Sequence, residues 1–433
     1  MKSFYSLFTE LNNLPKGNIY IKKIKGIEYS YWQYFDNGQK KIKLVKGEEL
    51  EELKKAIERR KKVEEKVREY LKSGNRNLFL SNNARNLTGY VMNENMPVAE
   101  YENGNLVMID DEHAPLIIKR THSLNAFLRT RVIDTSRTNT RLLKKVMNIK
   151  EDEEEMISLC SYAASISDSY WFKPKHSKLN YEDVTFSNDI FFDLALRGLV
   201  TIFPRKIVLT PELTTPGSYE KGWKNENGKW FLYKVGTPNE IFSELFYSRL
   251  LERLNVPTAH YEYEEGFIKT ENFASDVNFE PMVALVGLDE DYDYVLNELL
   301  NVSSEIAKDY LILLYYDAIL NNVDRHNENN GILRDKKSGK ILSLAPNFDD
   351  NLSLISRTIE LNCSTSEGFL QYFAKFLRSN KVAKEILKSA HLKEITEDTL
   401  NEIFKEIPIK VDEELIKKFV LTRYEYLTEV INK

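Results

Sequence analysis

From residue 18 to residue 45, apolar and aromatic positions alternate with lysines, the period-two pattern of strands. Residues 18–25, 28–35 and 39–45 read as a three-stranded meander. Gly26 makes the first turn and Asp36-Asn37-Gly38 the second, because Asn-Gly readily takes positive φ. The period then changes. Over residues 48–72, Leu50, Leu53, Ile57, Val63, Val67 and Leu71 fall on one stripe of a long charged helix that Ser73-Gly74-Asn75 ends. A second strand-rich unit follows in residues 88–135, with a turn at Asn103-Gly104. Within it, Ser123 is the N-cap of a helix carrying Leu124, Phe127 and Leu128. The acidic run at 151–155 suits the positive end of another helix. Residues 167–174, Ser-Asp-Ser-Tyr-Trp-Phe-Lys-Pro, are assigned a structural part.

The character shifts again near residue 205. Short strands are predicted at 206–209, 229–235 and 260–270, interrupted by one helix over 239–254. After about residue 283 helices dominate: 291–308, 309–320, and several from 367 to the end. A strand-rich half with one helix followed by a helical half is the order of a two-lobed kinase.

With 433 residues the chain is expected to hold more than one core, and 42% hydrophobic with 29% charged residues fits a soluble globular protein. Its apolar stretches are too short to span a bilayer, and the first residues carry no secretory pattern, so a cytoplasmic location is expected. Two cysteines without CxxC spacing and six histidines without an HxxxH pair argue against a disulfide framework or a zinc site. The net charge of −5 is uneven: residues 1–75 hold 18 Lys and Arg against 11 Asp and Glu. Tyr20, Tyr29, Tyr31 and Tyr34 interleave there with Lys22, Lys23, Lys25, Lys40, Lys41 and Lys43. Aromatic faces beside cations can hold nucleic acid. The preferred expectation is plainer: the aromatic face packs on the long helix while lysines blunt the sheet edges.

The densest polar stretch is residues 321–335, NNVDRHNENNGILRD, directly after the apolar run from Tyr310 to Leu320. It is either a polar turn or a catalytic loop. Transfer of a γ-phosphoryl group needs a carboxylate to take the acceptor proton, oxygen ligands for Mg2+, and a fixed cation on the phosphates. Asp324 is the candidate base. Asn329, five residues on, is the candidate amide ligand, at the spacing of kinase catalytic loops. Residues 331–334 and 341–344 read as a hairpin that delivers Pro346-Asn-Phe-Asp-Asp350. Asp349, directly after Phe348, is taken as the second metal ligand in preference to Asp350. Lys234 lies inside the apolar strand Trp230-Phe-Leu-Tyr-Lys-Val235 and requires an anion or solvent. Glu244 on the next helix is the candidate partner and Glu240 its competitor. The stretch from Thr214 to Gly222 is a candidate phosphate-covering turn, although Gly217 and Gly222 do not make GxGxxG. Each piece alone has a bland reading: a helix-ending turn, an outward edge lysine, a helix cap. Their order along the chain favours the functional one. Arg325 and His326 acquire no task, and Asn327, Glu328 and Asn330 are read as solvated loop.

Asp324-Arg-His-Asn-Glu-Asn329 and Leu344-Ala-Pro-Asn-Phe-Asp349 resemble the paired motifs of the HipA-like serine/threonine kinases, toxins of bacterial toxin–antitoxin modules. In that family the Arg and His follow the catalytic Asp. The resemblance implies ATP and Mg2+ as cofactors, a protein substrate, and a cognate antitoxin as partner. It also implies a phosphate loop ending in Gly-x-x-x-Lys, which Gly217-Ser-Tyr-Glu-Lys221 resembles, placing Gly217, Ser218 and Lys221 with Lys234 and Glu244 at the nucleotide. Family members autophosphorylate a serine in this loop. Thr214 stands at that position here, with Thr215 and Ser218 as neighbours. The adenine-contacting hinge is expected near residues 269–273.

The expected fold is α+β and bilobal, of the HipA type. It divides into an accessory meander and helix (1–75), a strand-rich subdomain (76–204), a kinase N-lobe (205–282) and a helical C-lobe (283–433). Two rival readings keep this fold. One is an inactive kinase fold acting through residues 1–75, with nucleic acid as partner; the other is a kinase with a small-molecule acceptor. No membrane partner is expected.

Overall fold

The computed structural model describes residues 14–36, 39–73, 87–149, 154–200, 209–264, 266–356, 361–366 and 368–433. Residues 37–38 of the second meander turn, 74–75 after the long helix, 151–153 of the acidic run and 206–208 of one predicted strand lie outside them.

The alternating N-terminal segment forms β1 (Asn18–Ile24), β2 (Ile27–Asp36) and β3 (Gln39–Val45), an antiparallel sheet in the order β1-β2-β3. Its register sets Tyr20 opposite Tyr31 and Tyr31 opposite Leu44, so these three share one face. That face is not covered by α1 (Gly47–Ser73): Tyr20, Ile24, Ile27, Ile42 and Leu44 are all exposed. The expectation that the aromatic face packs on the helix is therefore corrected for Tyr20, Tyr29 and Tyr31, which share this face; Trp32 and Tyr34 stack on the opposite face, where Val45 is buried. The physical reason is that part of the helix stripe is spent elsewhere. Val63 is buried in a cluster with Ile133, Leu143 and Met147, far along the sequence.

The next unit holds β4 (Thr88–Asn93), β5 (Met96–Glu102) and β6 (Asn105–Met108). Four helices follow: α2 (Leu116–Thr121), α3 (Leu124–Arg129), α4 (Thr138–Met147) and α5 (Glu154–Leu159). After β7 (Tyr170–Pro174) come α6 (Tyr181–Val184) and α7 (Phe192–Arg197). The sheet order is β6-β5-β4-β7. Ser123 caps α3 as predicted, its hydroxyl accepting from the Ala126 N–H at 3.2 Å. The stretch 167–174 is structural: Asp168 neutralises the buried Arg131 at 3.1 Å, and Ser169 bonds Asn93 and Asn278.

A 3-10 turn (Pro211–Thr214) leads into β8 (Lys221–Glu226) and β9 (Lys229–Val235). Next come α8 (Pro238–Arg253), β10 (Tyr261–Glu264) and β11 (Phe267–Glu271). This antiparallel sheet runs β10-β11-β9-β8. Thr237 and Glu240 close a capping box on α8 with Pro238 at its first position, so the sequence starts the helix sharply. β12 (Val277–Pro281) pairs with β13 (Gly331–Asp335), which pairs with β14 (Ile341–Leu344).

The helical half comprises α9 (Met282–Val286), α10 (Tyr292–Val302), α11 (Ser304–Leu320), α12 (Gly368–Ser379), α13 (Lys381–Ser389), α14 (Glu397–Glu406) and α15 (Glu413–Asn432). The predicted break between 308 and 309 falls instead at Ser303. Its backbone is extended and its side chain accepts from the Ile306 N–H, making it the N-cap of α11. From Tyr310 to Leu320 α11 is apolar but for Asp317, and all of it except Ile312 is buried, as a central helix must be.

The molecule is thus α+β and two-lobed, with a cleft between the β8–β11 sheet and the helical half. Its cores run across the expected divisions of the chain. Val63 and Leu213 join the cluster of α4, and Ala284 joins that of β4, β5 and β7.

Candidate active site

The cleft is built first by strand register. β8 and β9 set Lys221 directly opposite Lys234, so both side chains leave the sheet on one face, and both are buried. Two buried ammonium groups side by side are costly unless anions answer them. Two carboxylates converge on Lys234: Glu244 from α8 at 2.8 Å and Asp349 from the loop after β14 at 2.8 Å. Glu240 is committed to the helix cap and to the Tyr219 hydroxyl. Burial alone would lower the Lys234 pKa, but Asp349 and Glu244 outweigh it and hold the ammonium well above its usual range. Asp349 is the mirror case: burial would raise it, and Lys234 with Lys221 hold it well below. Lys221 is left with the weaker share. Burial, Arg137 and Lys234 push its pKa down to about 7, against the pull of Asp349 and Glu244. The sheet face therefore holds cationic capacity that an incoming phosphate would satisfy.

The loop bearing Asp324 and Asn329 is folded by its own amides. Asn321 ends α11 in the left-handed region with φ of 54°, and the Asn322 side chain accepts from the Asp324 N–H. Asn329 donates through Nδ2 to the Asp324 carbonyl at 2.9 Å, and more weakly to its carboxylate at 3.4 Å. That bond orients the Asn329 amide and commits its Nδ2, not its Oδ1. Asn327 and Asn330 are buried, against the expectation of a solvated loop. Asn327 Nδ2 donates to the Gly287 and Asp289 carbonyls, and Asn330 Nδ2 to that of His326. A buried loop carries backbone groups that water cannot reach, and these amides satisfy them. Glu328 is exposed as expected.

Arg325, given no task by the sequence, is the lock between the two halves of the site. Its guanidinium pairs with Asp317 of α11 at 2.9 Å and with Asp350 at 2.6 Å. It also donates to the Asn329 and Phe348 carbonyls and to Asn347. One buried cation thus ties the loop bearing Asp324 and Asn329 to the loop bearing Asp349. Asp350 is wholly buried beneath, accepting from Asn322 and Asn347, while Asp349 turns into the cleft. The adjacent carboxylates divide the work: one builds, one faces the ligand.

Asp324, Asn329, Asp349, Lys234, Lys221, Gly217 and Ser218 line one cleft of about 560 Å³. Its floor is apolar, with Phe273, Phe279 and Phe348 in mutual contact at 5.5–5.7 Å between ring centres. Residues 270–273 of the expected hinge line it too, beside Leu232 and Ala259. Gly217 has φ of +94° and lies under the Lys221 Nζ. The three candidate acceptor hydroxyls are not equivalent. Thr214 is buried and donates to the Pro211 carbonyl. Thr215 donates to the same carbonyl and accepts from the Trp223 indole. Ser218 is exposed on the cleft wall.

Sequence reasoning missed Arg325, Asp317, Asp350 and Arg137. A signal existed for one of them. Asp317 is the lone charged residue in the apolar run from Tyr310 to Leu320 and is buried, which requires a cation nearby. Arg137 bonds only backbone carbonyls, and these leave no mark in a sequence.

No family model matches the chain, and no curated protein matches it. Among solved structures it is similar to the Helicobacter pylori proinflammatory kinase CtkA, at 17% identity and a TM-score of 0.34, covering 49% of this chain and 91% of that one. It is also similar to HipA of Shewanella oneidensis MR-1, solved with HipB and its operator DNA. That match has 14% identity and a TM-score of 0.49, and covers 80% of this chain and 100% of the other. The chemistry is carried by this chain's own side chains.

Proposed function

We propose that the chain is an ATP- and Mg2+-dependent serine/threonine protein kinase. The observation that carries the reading is Lys234 held between Glu244 and Asp349 in the same cleft as Asp324 and Asn329. The donor set fits Mg2+: an amide oxygen on Asn329 and a carboxylate on Asp349 are hard oxygen ligands, and the ion prefers to complete its shell with phosphate and water. Bound there, Mg2+ would offset charge on the β- and γ-phosphates. The rest belongs to the protein. The apolar floor takes the base, while Lys234 and Lys221 meet the phosphates. Asp324 accepts the proton of the acceptor hydroxyl as its oxygen forms a bond to the γ-phosphorus and the bond to the β-bridging oxygen breaks, releasing ADP. Autophosphorylation within residues 214–218 is part of the proposal, with Ser218 the hydroxyl presented to the cleft.

The test is transfer of label from γ-labelled ATP to the chain itself, or to a generic acceptor protein, with Mg2+ present. Wild type transfers; Asp324→Ala, checked to be folded, does not. Equal transfer by the two would sink the assignment.

A further inference from the structure

One buried arginine, outside both lobes of the cleft, holds the loop that carries Gly217 and Ser218. Arg137 sits at the N-terminal end of α4, in the unit that precedes the kinase lobes, and is only 5% exposed. It reaches about 80 residues along the chain to the phosphate loop. Nη2 donates to the Thr215 carbonyl at 2.8 Å and the Pro216 carbonyl at 2.7 Å, and Nε to the Gly217 carbonyl at 2.5 Å. A second tie lies beside it: Glu220 at the other end of the loop accepts from the Asn139 N–H at 3.1 Å.

The peptide bonds are trans, so each N–H points opposite to the carbonyl of the residue before it. Drawing the Pro216 and Gly217 carbonyls back to Arg137 turns the Gly217 and Ser218 N–H groups the other way. Both residues line the cleft, and Gly217 lies beneath the Lys221 ammonium. Successive amides presented in this manner form an anion-binding nest. Arg137 itself does not line the cleft. It is also firmly seated. α4 packs through Leu143 and Met147 into the cluster that includes Val63 of α1 and Leu213, one residue before Thr214.

We propose that Arg137 is a positioning residue for the nucleotide phosphates. Held by the preceding unit, it aims the Gly217 and Ser218 amides at the phosphates that Lys221 and Lys234 neutralise. The phosphate loop of the kinase lobes is thus set from outside those lobes. This rests on the kinase reading above.

The experiment measures affinity of the full-length chain for ATP with Mg2+ and, separately, for adenosine, which shares the base and sugar but has no phosphate. Wild type binds ATP more tightly than adenosine. In Arg137→Ala the ATP affinity falls about tenfold or more while adenosine is unaffected, because only the phosphate-facing amides are lost. Arg137→Lys keeps the charge without the planar fork, and falls between the two. It also carries the test should the alanine variant fail to fold. A variant that keeps the wild-type preference for ATP overturns this inference alone. So does one that loses ATP and adenosine equally, which is the mark of a merely structural arginine. A wild-type chain that binds ATP no better than adenosine overturns the kinase reading as well.

Discussion

At the residue scale the site is a problem in placing charge. Three buried cations, Lys221, Lys234 and Arg325, face Glu244, Asp317, Asp349 and Asp350. Lys234 and Arg325 are each held by two carboxylates, and removing one partner from such a buried set typically costs about 3–5 kcal/mol. Lys221 is the group with capacity to spare, and this predicts a pH dependence. Its pKa is about 7 in the empty cleft, and a bound phosphate raises it. ATP affinity should therefore be full below pH 7 and fall as pH rises through it, by up to about tenfold per pH unit. Titrating affinity by calorimetry checks this, with Lys221→Met expected to bind weakly and without that slope. A wild-type affinity flat from pH 6 to pH 9 would contradict it. The sequence displayed Asp324, Asn329, Asp349 and Lys234 because their spacing is set by short local elements. It did not display Arg325's role, because that depends on carboxylates from two elements meeting around one guanidinium.

At the element scale, two short features set the cleft: the β8–β9 register and the loop before it. A one-residue slip of β8 would turn Lys221 to the opposite face. Gly217 adopts φ of +94°, which an L side chain takes only with strain, and a Cβ there would lie 2.4 Å from the Lys221 Nζ. Gly217→Ala should add about 1–3 kcal/mol of local strain and displace the lysine. Its ATP Kd is expected to rise roughly tenfold, with overall stability lowered by no more than that strain. Unaltered nucleotide affinity would show that the loop does not need this geometry. Elements with local signals were legible: Ser123 and the turn between β13 and β14. The Thr237–Glu240 box went unread, and the helix break was placed at 308–309 rather than Ser303, because apolar periodicity ran through the cap formers Ser303-Ser304 and obscured them.

At the scale of the whole molecule, the unit before the two lobes of the cleft is stapled to them. Arg334 of β13 pairs with Glu280 of β12 at 2.5 Å and donates to the Tyr170 hydroxyl and to the Glu112 and Ala114 carbonyls. Glu280 in turn accepts from the Leu116 N–H. We predict one cooperative denaturant transition for these regions. In Arg334→Met, which leaves the buried Glu280 without its cation, stability falls by about 3–5 kcal/mol. Separate transitions in the wild type would contradict the shared core. Such long-range ties are invisible to periodicity, so the sequence suggested tidier divisions than the packing shows. The meander is the opposite case. One face of it presents Tyr20 stacked on Tyr31, with Lys22, Lys40 and Lys46 and, among the described residues of the sheet, no carboxylate. We propose that this face binds single-stranded nucleic acid by stacking and phosphate contacts. The full chain should shift a short single-stranded oligonucleotide at low salt and release it as salt rises, with Tyr31→Ala weaker by about 1–3 kcal/mol. No shift at low salt removes nucleic acid as the partner of this face.

If one cleft, organised around Lys234, transfers phosphate from ATP, the purified chain incubated with ATP and Mg2+ gains mass that intact-mass analysis reads. Added phosphate is expected on the wild-type chain, mapped within residues 214–218, and none on folded Asp324→Ala or without Mg2+. A wild-type chain that gains no phosphate on itself or on any added acceptor protein, while binding ATP, would contradict phosphate transfer by this cleft.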